Sequence, residues 1–263
     1  MVTLAAIFPP TQPPERIVAV AAAADAAGLA ELWVWEDCFS ESGIATATAM
    51  LAATSRVTVG IGLLPVPLRN VALTAMELAT VSRLFPGRLV AGVGHGVLDW
   101  MGQAGARVES PMTLLREYTA ALYALLHGET VTTRGRYVNL DAVALDWPPA
   151  AAPPLLVGGI RPRTVSLAGE LADGVIIPGG VSPEEVRASV GQLRAQRGAG
   201  RSPADVVVFI SAPADSPARE IAATVSEYAA AGATCVAVNA DEDDADIERF
   251  AGFLAREVRP LLS

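Results

Sequence analysis

The chain has 263 residues, a formal net charge of −9 and 19 basic residues, all of which are arginine. This acidic balance and the lack of a basic cluster argue against a nucleic-acid partner, and no apolar run approaches the ~20 residues that span a membrane. No basic stretch precedes an apolar segment at the N-terminus, and Cys38 and Cys235 are far apart, so we expect reduced thiols and a cytoplasmic location. Without lysine, Schiff-base chemistry and a Walker-type phosphate site are excluded.

Apolar, strand-like runs recur along the chain, and a helical pattern follows each of them. We predict strands at residues 2–8, 31–35, from 57, 88–93, 154–158, 173–177, 206–211 and 234–238. The predicted helices cover about 14–27, 43–53, 70–85, 111–127, a segment opened by 159–162, one opened by 182–185, 217–231 and the chain from about Asp244. Residues 99–105 are predicted as a loop, and 129–149 as an extended insertion with a turn at 134–136.

This alternation of eight strands with eight helices is typical of a parallel α/β fold. Eight units predict a (β/α)8 TIM barrel in a single domain, residues 1–263, with a doubly wound open sheet as the runner-up. The insertion at 129–149 lies between a helix and the next strand, so we expect it at the N-terminal face of the barrel.

Glycines end several predicted strands, as they would if a ligand lay against the carboxyl ends. The third strand runs into Gly62, and the fourth ends in Gly94-His95-Gly96. The run Gly158-Gly159-Ile160-Arg161 follows the fifth strand and opens a helix. Glycines permit close approach, and a helix N-terminus with an arginine attracts phosphate.

Six segments of the chain resemble, in order, the bacterial-luciferase-like flavin enzymes. These segments are LWVWED at 32–37, residues 52–67, GRLVAGVG at 87–94, GETV at 128–131, PLLVGG at 154–159 and LAGELADG at 167–174. The superfamily includes coenzyme F420-dependent reductases and dehydrogenases and FMN-dependent monooxygenases.

The resemblance implies a barrel that holds a flavin or deazaflavin, FMN or F420, at the carboxyl ends of its strands. Family members have a non-prolyl cis peptide after strand three, which forms a bulge behind the isoalloxazine ring and corresponds here to Gly62-Leu63. The implied ring contacts are Gly62, Leu63, Leu64, Gly94 and His95. The implied phosphate contacts are Gly158, Gly159, Ile160 and Arg161.

The sequence departs from the family near the expected reacting centre. Some F420-dependent members have Asp-His at the end of strand two, where this chain has Asp37-Cys38. Members with that activity often have an acid after strand four, where this chain has Val97 and Leu98. His95 and Asp99 are then the titratable groups nearby.

Three side chains are candidate catalytic groups, each with a structural alternative. His95 donates a hydrogen bond to the cofactor or acts as acid or base. The structural alternative is that His95 forms its hydrogen bonds within its own loop. Asp37 hydrogen-bonds the cofactor or holds a neighbouring loop. Cys38 is a candidate by position, although a small buried hydrophobe is favoured because no basic residue adjoins it. Of the tryptophans, Trp100 is expected to shape the substrate pocket, and Trp33 and Trp35 to pack the barrel.

We predict an oxidoreductase that transfers a hydride between F420 or FMN and a small organic substrate. The alternatives are an FMN-dependent luciferase-like monooxygenase, a barrel that binds flavin without turnover, and a phosphate-binding hydrolase or aldolase. The last is weakened by the missing lysines and metal cluster, and we expect no metal site. Residues 212–216 are too few to cover an isoalloxazine, which favours hydride transfer over oxygen chemistry. A homodimer is left open.

Overall fold

Eight parallel strands close into a barrel in this computed structural model, which describes residues 2–198, 200–242 and 245–262. The strands of the described residues, eight in the barrel and two outside it, are β1 (Thr3–Phe8), β2 (Glu31–Val34), β3 (Thr58–Pro65), β4 (Leu89–Gly94), β5 (Val131–Arg134), β6 (Asn139–Val143), β7 (Leu155–Gly158), β8 (Gly174–Ile177), β9 (Asp205–Ala212) and β10 (Cys235–Ala240). The barrel order is β1-β10-β9-β8-β7-β4-β3-β2, and β5 and β6 form a separate pair. The predicted (β/α)8 barrel is confirmed, and the open sheet is wrong because the sheet closes.

Helices surround the barrel between successive strands. They are α1 (Ile17–Ala27), α2 (Gly43–Ala52), α3 (Val71–Leu84), α4 (Leu98–Gln103), α5 (Pro111–Leu126), α6 (Pro162–Leu171), α7 (Pro183–Gln196), α8 (Ala218–Ala231) and α9 (Ile247–Phe253). Local capping explains several starts, since Asn70 accepts a hydrogen bond from the backbone N–H of Ala72, and Ser182 and Glu185 form a capping box.

One predicted loop and the predicted start of the last helix differ from the structure. The loop predicted at 99–105 is wrong in part, because α4 forms there and buries Met101. A single buried residue in a short helix gives no periodic signal in the sequence. The last helix begins at Ile247 and not at Asp244, which lies outside the described residues, because the Asp246 side chain caps it by accepting from the Arg249 N–H.

The insertion forms the antiparallel hairpin β5–β6. The hairpin starts after the C-terminal end of α5, and its turn reaches toward the N-terminal end of that helix. The Glu117 carboxylate, on α5, accepts backbone N–H groups of Arg136, Tyr137 and Val138. The Tyr137 hydroxyl accepts the N–H of Ser110, immediately before α5. The placement at the N-terminal face is therefore wrong for the turn, because these hydrogen bonds hold the hairpin along the outside of α5.

Large side chains fill the barrel interior and face glycines on β3, either from the neighbouring strand β2 or from β9 across the barrel. Trp33 is fully buried, and its ring centroid lies 5.5 Å from that of Phe209 in an edge-on arrangement. A Cβ atom at Gly60 would lie 2.4 Å from the Trp33 ring, and one at Gly62 would lie 2.5 Å from Cζ of Phe209. These glycines provide the volume that the two aromatic rings occupy.

We expect Gly60→Ala to lower the free energy of unfolding by about 1–3 kcal/mol, since the added methyl group would overlap the Trp33 ring. Urea unfolding followed by circular dichroism measures this change.

Gly191→Ala, on the exposed face of α7, is the matched control, because the described residues leave open space around that position. It should leave stability unchanged or raise it by up to about 1 kcal/mol, since alanine is the better helix former. Equal stability of Gly60→Ala and the unaltered protein would contradict the packing argument.

Candidate active site

A pocket of about 530 Å³ opens at the carboxyl ends of the barrel strands. This volume lies within the range of small-molecule sites, and active sites of (β/α)8 barrels lie at this face. The structure brings six of the residues predicted from the sequence together in its lining, namely Asp37, Gly62, Leu63, His95, Gly158 and Gly159.

A bulge in β3 forms one wall of the pocket. The register between β3 and β4 shifts between Ile61 and Leu64, and the Gly62-Leu63 peptide is cis, as the resemblance implied. Leu63 lies in the pocket lining, with its side chain beside Gly94 and Gly158. A Cβ atom would lie 2.6 Å from Cδ2 of Leu63 at Gly94 and 2.1 Å from it at Gly158. Both glycines therefore make room for Leu63, which is a different reason from the phosphate approach predicted at Gly158.

Five predicted site residues lie outside the pocket lining. Leu64 is 1% exposed and packs in the outer core, because the bulge leaves its side chain on the outward face of β3. Gly94 is buried beside Leu63, and Ile160 is half-buried against the outer core. Arg161 is exposed at the start of α6, and Cys38 is half-buried in the segment after β2.

The amide of Gly159 is already used within the barrel. Its N–H donates to the carbonyl of Ile176 at 2.9 Å, and the phosphate contact implied for Gly159 stays a prediction. The residue has a φ of +147°, a conformation that favours glycine, and a Cβ atom there would lie 2.8 Å from Cγ2 of Thr164. Gly159 is thus explained by backbone geometry and by its contact with α6.

His95 is half-buried at the end of β4, and its Nδ1 atom is buried without a hydrogen-bond partner among the described residues. Burial lowers the pKa of His95, and the charge of Arg161 lowers it further, against the opposing effect of the Pro111 carbonyl. The neutral imidazole is thereby favoured. A buried and unpartnered ring nitrogen beside a pocket is available to a ligand.

Asp37 and Cys38 have different environments although they are adjacent. Asp37 lines the pocket, and burial raises the pKa of its carboxyl group, so it holds its proton to higher pH than an exposed aspartate does. Burial raises the pKa of the Cys38 thiol as well, and the carboxylates of Glu36 and Asp37 add to this effect, against the charge of Arg69. The neutral thiol agrees with the structural interpretation of Cys38 and argues against a nucleophile.

An ion pair that the sequence did not predict lies in the pocket wall. Glu36 lines the pocket, and its side chain is only 8% exposed. The Arg69 guanidinium pairs with both of its carboxylate oxygens, with Nη2 at 2.8 Å from Oε2. The same Oε2 accepts the N–H of Gly43 at 2.7 Å, which ties the segment after β2 to the start of α2. No local motif links Glu36 to Arg69, which lies 33 positions further along the chain.

Most of the remaining lining is aromatic or aliphatic. The Trp35 ring centroid lies 6.0 Å from that of Phe209, and both side chains reach the pocket. Trp35 therefore packs against the interior cluster, as expected, and also lines the pocket, and the expected packing of the fully buried Trp33 is confirmed. Trp100, on α4, lines the pocket together with Val97, as expected for Trp100 from the sequence.

These residues fit a flavin-type cofactor. The bulged wall of β3, the aromatic side chains and the unpartnered Nδ1 of His95 supply an apolar surface and one polar contact, which suit a flat ring with polar edges. In the part of the chain that the structure describes, no helix is long and apolar enough to cross a membrane. The same residues contain no group of three or more metal-ligating side chains placed to hold a metal ion.

Comparisons with known proteins place the chain in a family. The luciferase-like monooxygenase family matches residues 2–259. The 5,10-methylenetetrahydromethanopterin reductase of Methanolobus tindarius is 29% identical over 202 residues, which are 76% of this chain and 61% of that protein. The F420-dependent glucose-6-phosphate dehydrogenase of Nakamurella multipartita is 33% identical over 139 residues, or 51% of this chain and 41% of that protein.

A solved structure agrees with the fold over the whole chain. It is an F420-dependent secondary alcohol dehydrogenase in complex with an F420-acetone adduct, with a TM-score of 0.88 at 17% identity, and the match covers 100% of this chain and 99% of that one. The chain spans only 61% and 41% of the two curated relatives named above. Because the family match extends over nearly all of its length, the chain belongs to the luciferase-like monooxygenase family.

Proposed function

We propose that this chain is an oxidoreductase that binds F420 or FMN in the pocket and transfers a hydride between that cofactor and a small organic substrate. The observation that carries the proposal is the bulged wall at Gly62-Leu63 beside the unpartnered Nδ1 of His95. Relatives named for F420 support F420 as the cofactor. Membership of the luciferase-like monooxygenase family makes FMN the alternative.

The residues of this chain position and enclose the reactants. When bound, the cofactor supplies the redox chemistry by carrying the hydride. Leu63 would hold one face of the ring, and Trp35 and Phe209 would exclude water from the remaining apolar wall. The neutral His95 would offer Nδ1 to a polar edge of the ring. Arg161, with the N-terminus of the ten-residue helix α6, would hold the cofactor phosphate.

Asp37 is the proposed proton donor and acceptor. It lines the pocket, and the raised pKa caused by its burial keeps a proton on the carboxyl group closer to neutral pH. In the reducing direction it would give this proton to a substrate oxygen, and in the oxidising direction take one from it. His95 is the less suitable acid, because burial lowers its pKa.

The connection after β9 supports hydride transfer over oxygen activation. β9 ends at Ala212 and α8 begins at Ala218, so five residues join them. A reduced flavin that reacts with oxygen needs a cover that excludes water, and five residues are too few to supply it. The FMN-dependent monooxygenase is therefore the less favoured function.

The homodimer stays a prediction, as does the absence of a nucleic-acid partner. α3 exposes Leu73, Met76 and Leu84, and Trp147 is also exposed. This apolar surface lies outside the pocket and is available to a second copy of the chain. Size-exclusion chromatography with light scattering distinguishes a dimer from a monomer.

We expect the purified protein to bind F420 or FMN saturably, and Gly158→Ala to weaken that binding about tenfold, or by ~1.4 kcal/mol. The added Cβ would lie 2.1 Å from Cδ2 of Leu63 and displace that side chain in the pocket wall. Titration followed by cofactor absorbance and fluorescence measures the dissociation constants.

The double variant Gly158→Ala/Leu63→Ala relieves the overlap and separates displacement of Leu63 from other effects of the methyl group. It should recover part of the lost affinity, and Gly191→Ala should bind the cofactor as the unaltered protein does. Failure of the unaltered protein to bind either cofactor would refute the proposed function.

We expect Asp37→Asn to lower the rate of substrate reduction by about 10²–10⁴-fold, because the amide cannot donate a proton in the same way. The unaltered enzyme should be active below the raised pKa of Asp37 and lose activity as the pH rises through it, since only the protonated acid donates.

A pH profile of kcat for the two proteins checks this direction. The control is Asp141→Asn, which changes an exposed acid on β6. If Asp37→Asn kept both the rate and the alkaline decline, another group would be the proton donor.

A further inference from the structure

The charged groups of the pocket wall are arranged so that one carboxylate covers an arginine. Glu36 lines the pocket, and Arg69 lies behind it with 16% of its side chain exposed. Both guanidinium Nη atoms contact the Glu36 carboxylate, one oxygen each. A bidentate pair of this kind satisfies the geometry of both partners and leaves little positive potential on the outer side.

The other described groups that interact with Arg69 are acidic or neutral. Glu77 lies 3.6 Å from its Nε, and the Glu77 Oε2 atom is buried without a hydrogen bond to any described residue. The Tyr118 hydroxyl donates to Oγ1 of Thr74, and burial raises the pKa of Tyr118 to about 12, so the phenol stays neutral. Glu36 balances the guanidinium through its two-oxygen contact, and Glu77 adds a second, longer ion pair at Nε.

Among the described residues that line the pocket, no lysine or arginine lies beside Glu36. The chain contains no lysine, and among the described residues that line the pocket there is no arginine. Arg161 follows β7, which is separated from β2 by β4 and β3, and the proposed function assigns it to the cofactor phosphate. A carboxylate or phosphate that entered beside Glu36 would lose its hydration and find no partner.

We propose that Glu36 is a specificity-determining residue that masks Arg69 and restricts the pocket to uncharged substrates, excluding phosphate esters and carboxylates. This inference rests on the proposed function, because it concerns the substrate of the same site. It separates this chain from a relative whose name specifies a phosphorylated sugar, although 33% of the aligned residues are identical. Removing the Glu36 charge should uncover Arg69 and let the pocket bind anionic substrates.

The test uses the cofactor-loaded protein and two probes with the same ring, cyclohexanone and cyclohexanecarboxylate. The unaltered protein should bind the ketone at least about tenfold more tightly than the carboxylate, as an uncompensated buried charge would require. In Glu36→Gln the guanidinium loses its paired charge, and carboxylate affinity should rise by about tenfold or more while ketone affinity changes little. Calorimetry measures these affinities, and so does the change in cofactor fluorescence when a probe binds.

Glu77→Gln is the matched control, since it removes an equal charge beside Arg69 at a residue outside the pocket lining. It should raise carboxylate affinity far less than Glu36→Gln does. Because Glu36 also accepts the N–H of Gly43, the thermal midpoint of each variant is measured first. If Glu36→Gln does not fold, Arg69→Met provides the second test, and it should leave the carboxylate excluded.

The outcomes distinguish this inference from the proposed function. If the unaltered protein bound neither F420 nor FMN, the proposed function would be refuted, and with it the cofactor-loaded site that the inference concerns. Normal cofactor binding with equal affinity for both probes would overturn the inference alone. Tight carboxylate binding that disappears in Arg161→Ala would also overturn it, because the anion would then use the arginine assigned to the cofactor.

Discussion

The contact between Phe209 and Gly62 connects the packing of the barrel to the shape of the pocket. The Phe209 ring belongs to the interior cluster with Trp33 and also reaches the pocket lining. Its Cζ atom lies 2.5 Å from where a Cβ of residue 62 would be, so the strand can pass this ring only with glycine there. Residue 62 is also the start of the bulge. The barrel core and the proposed cofactor wall therefore depend on the same pair of residues.

The glycines around the pocket are explained first by the protein's own side chains. Gly62 accommodates Phe209, and Gly94 and Gly158 accommodate Leu63. A ligand at this wall consequently meets the isobutyl group of Leu63 and not bare backbone at Gly158. The glycine pattern indicated the correct end of the barrel, but the cause lies in packing. Glycine-ended strands are thus a sign of close approach that does not tell whether a ligand or a side chain approaches.

Alternating strands and helices were enough to predict the barrel, because parallel strands buried on both faces have a clear apolar pattern. Period-two alternation could not predict which side chains enter the pocket, since the bulge between Ile61 and Leu64 changes the register. The bulge was predicted from the family resemblance. The residue pattern alone would have placed the side chains of Leu63 and Leu64 on the wrong faces of β3. The Glu36–Arg69 pair was missed because ion pairing over 33 positions requires the closed fold. The hairpin turn was misplaced for the same reason, since Glu117 fixes it from α5.

The electrostatics of the pocket favour neutral groups throughout. Burial raises the pKa of Asp37 and lowers that of His95, so desolvation moves an acid and a base toward their uncharged forms. The Glu36 carboxylate is paired with both Nη atoms of Arg69 behind the wall, which balances the two groups locally. A site without an uncompensated charge binds an anion poorly, because nothing replaces the water that the anion loses. The wall at Gly62-Leu63 and the charges at Glu36 and Arg69 are set by different residues, so substrate preference can change while the cofactor wall is kept.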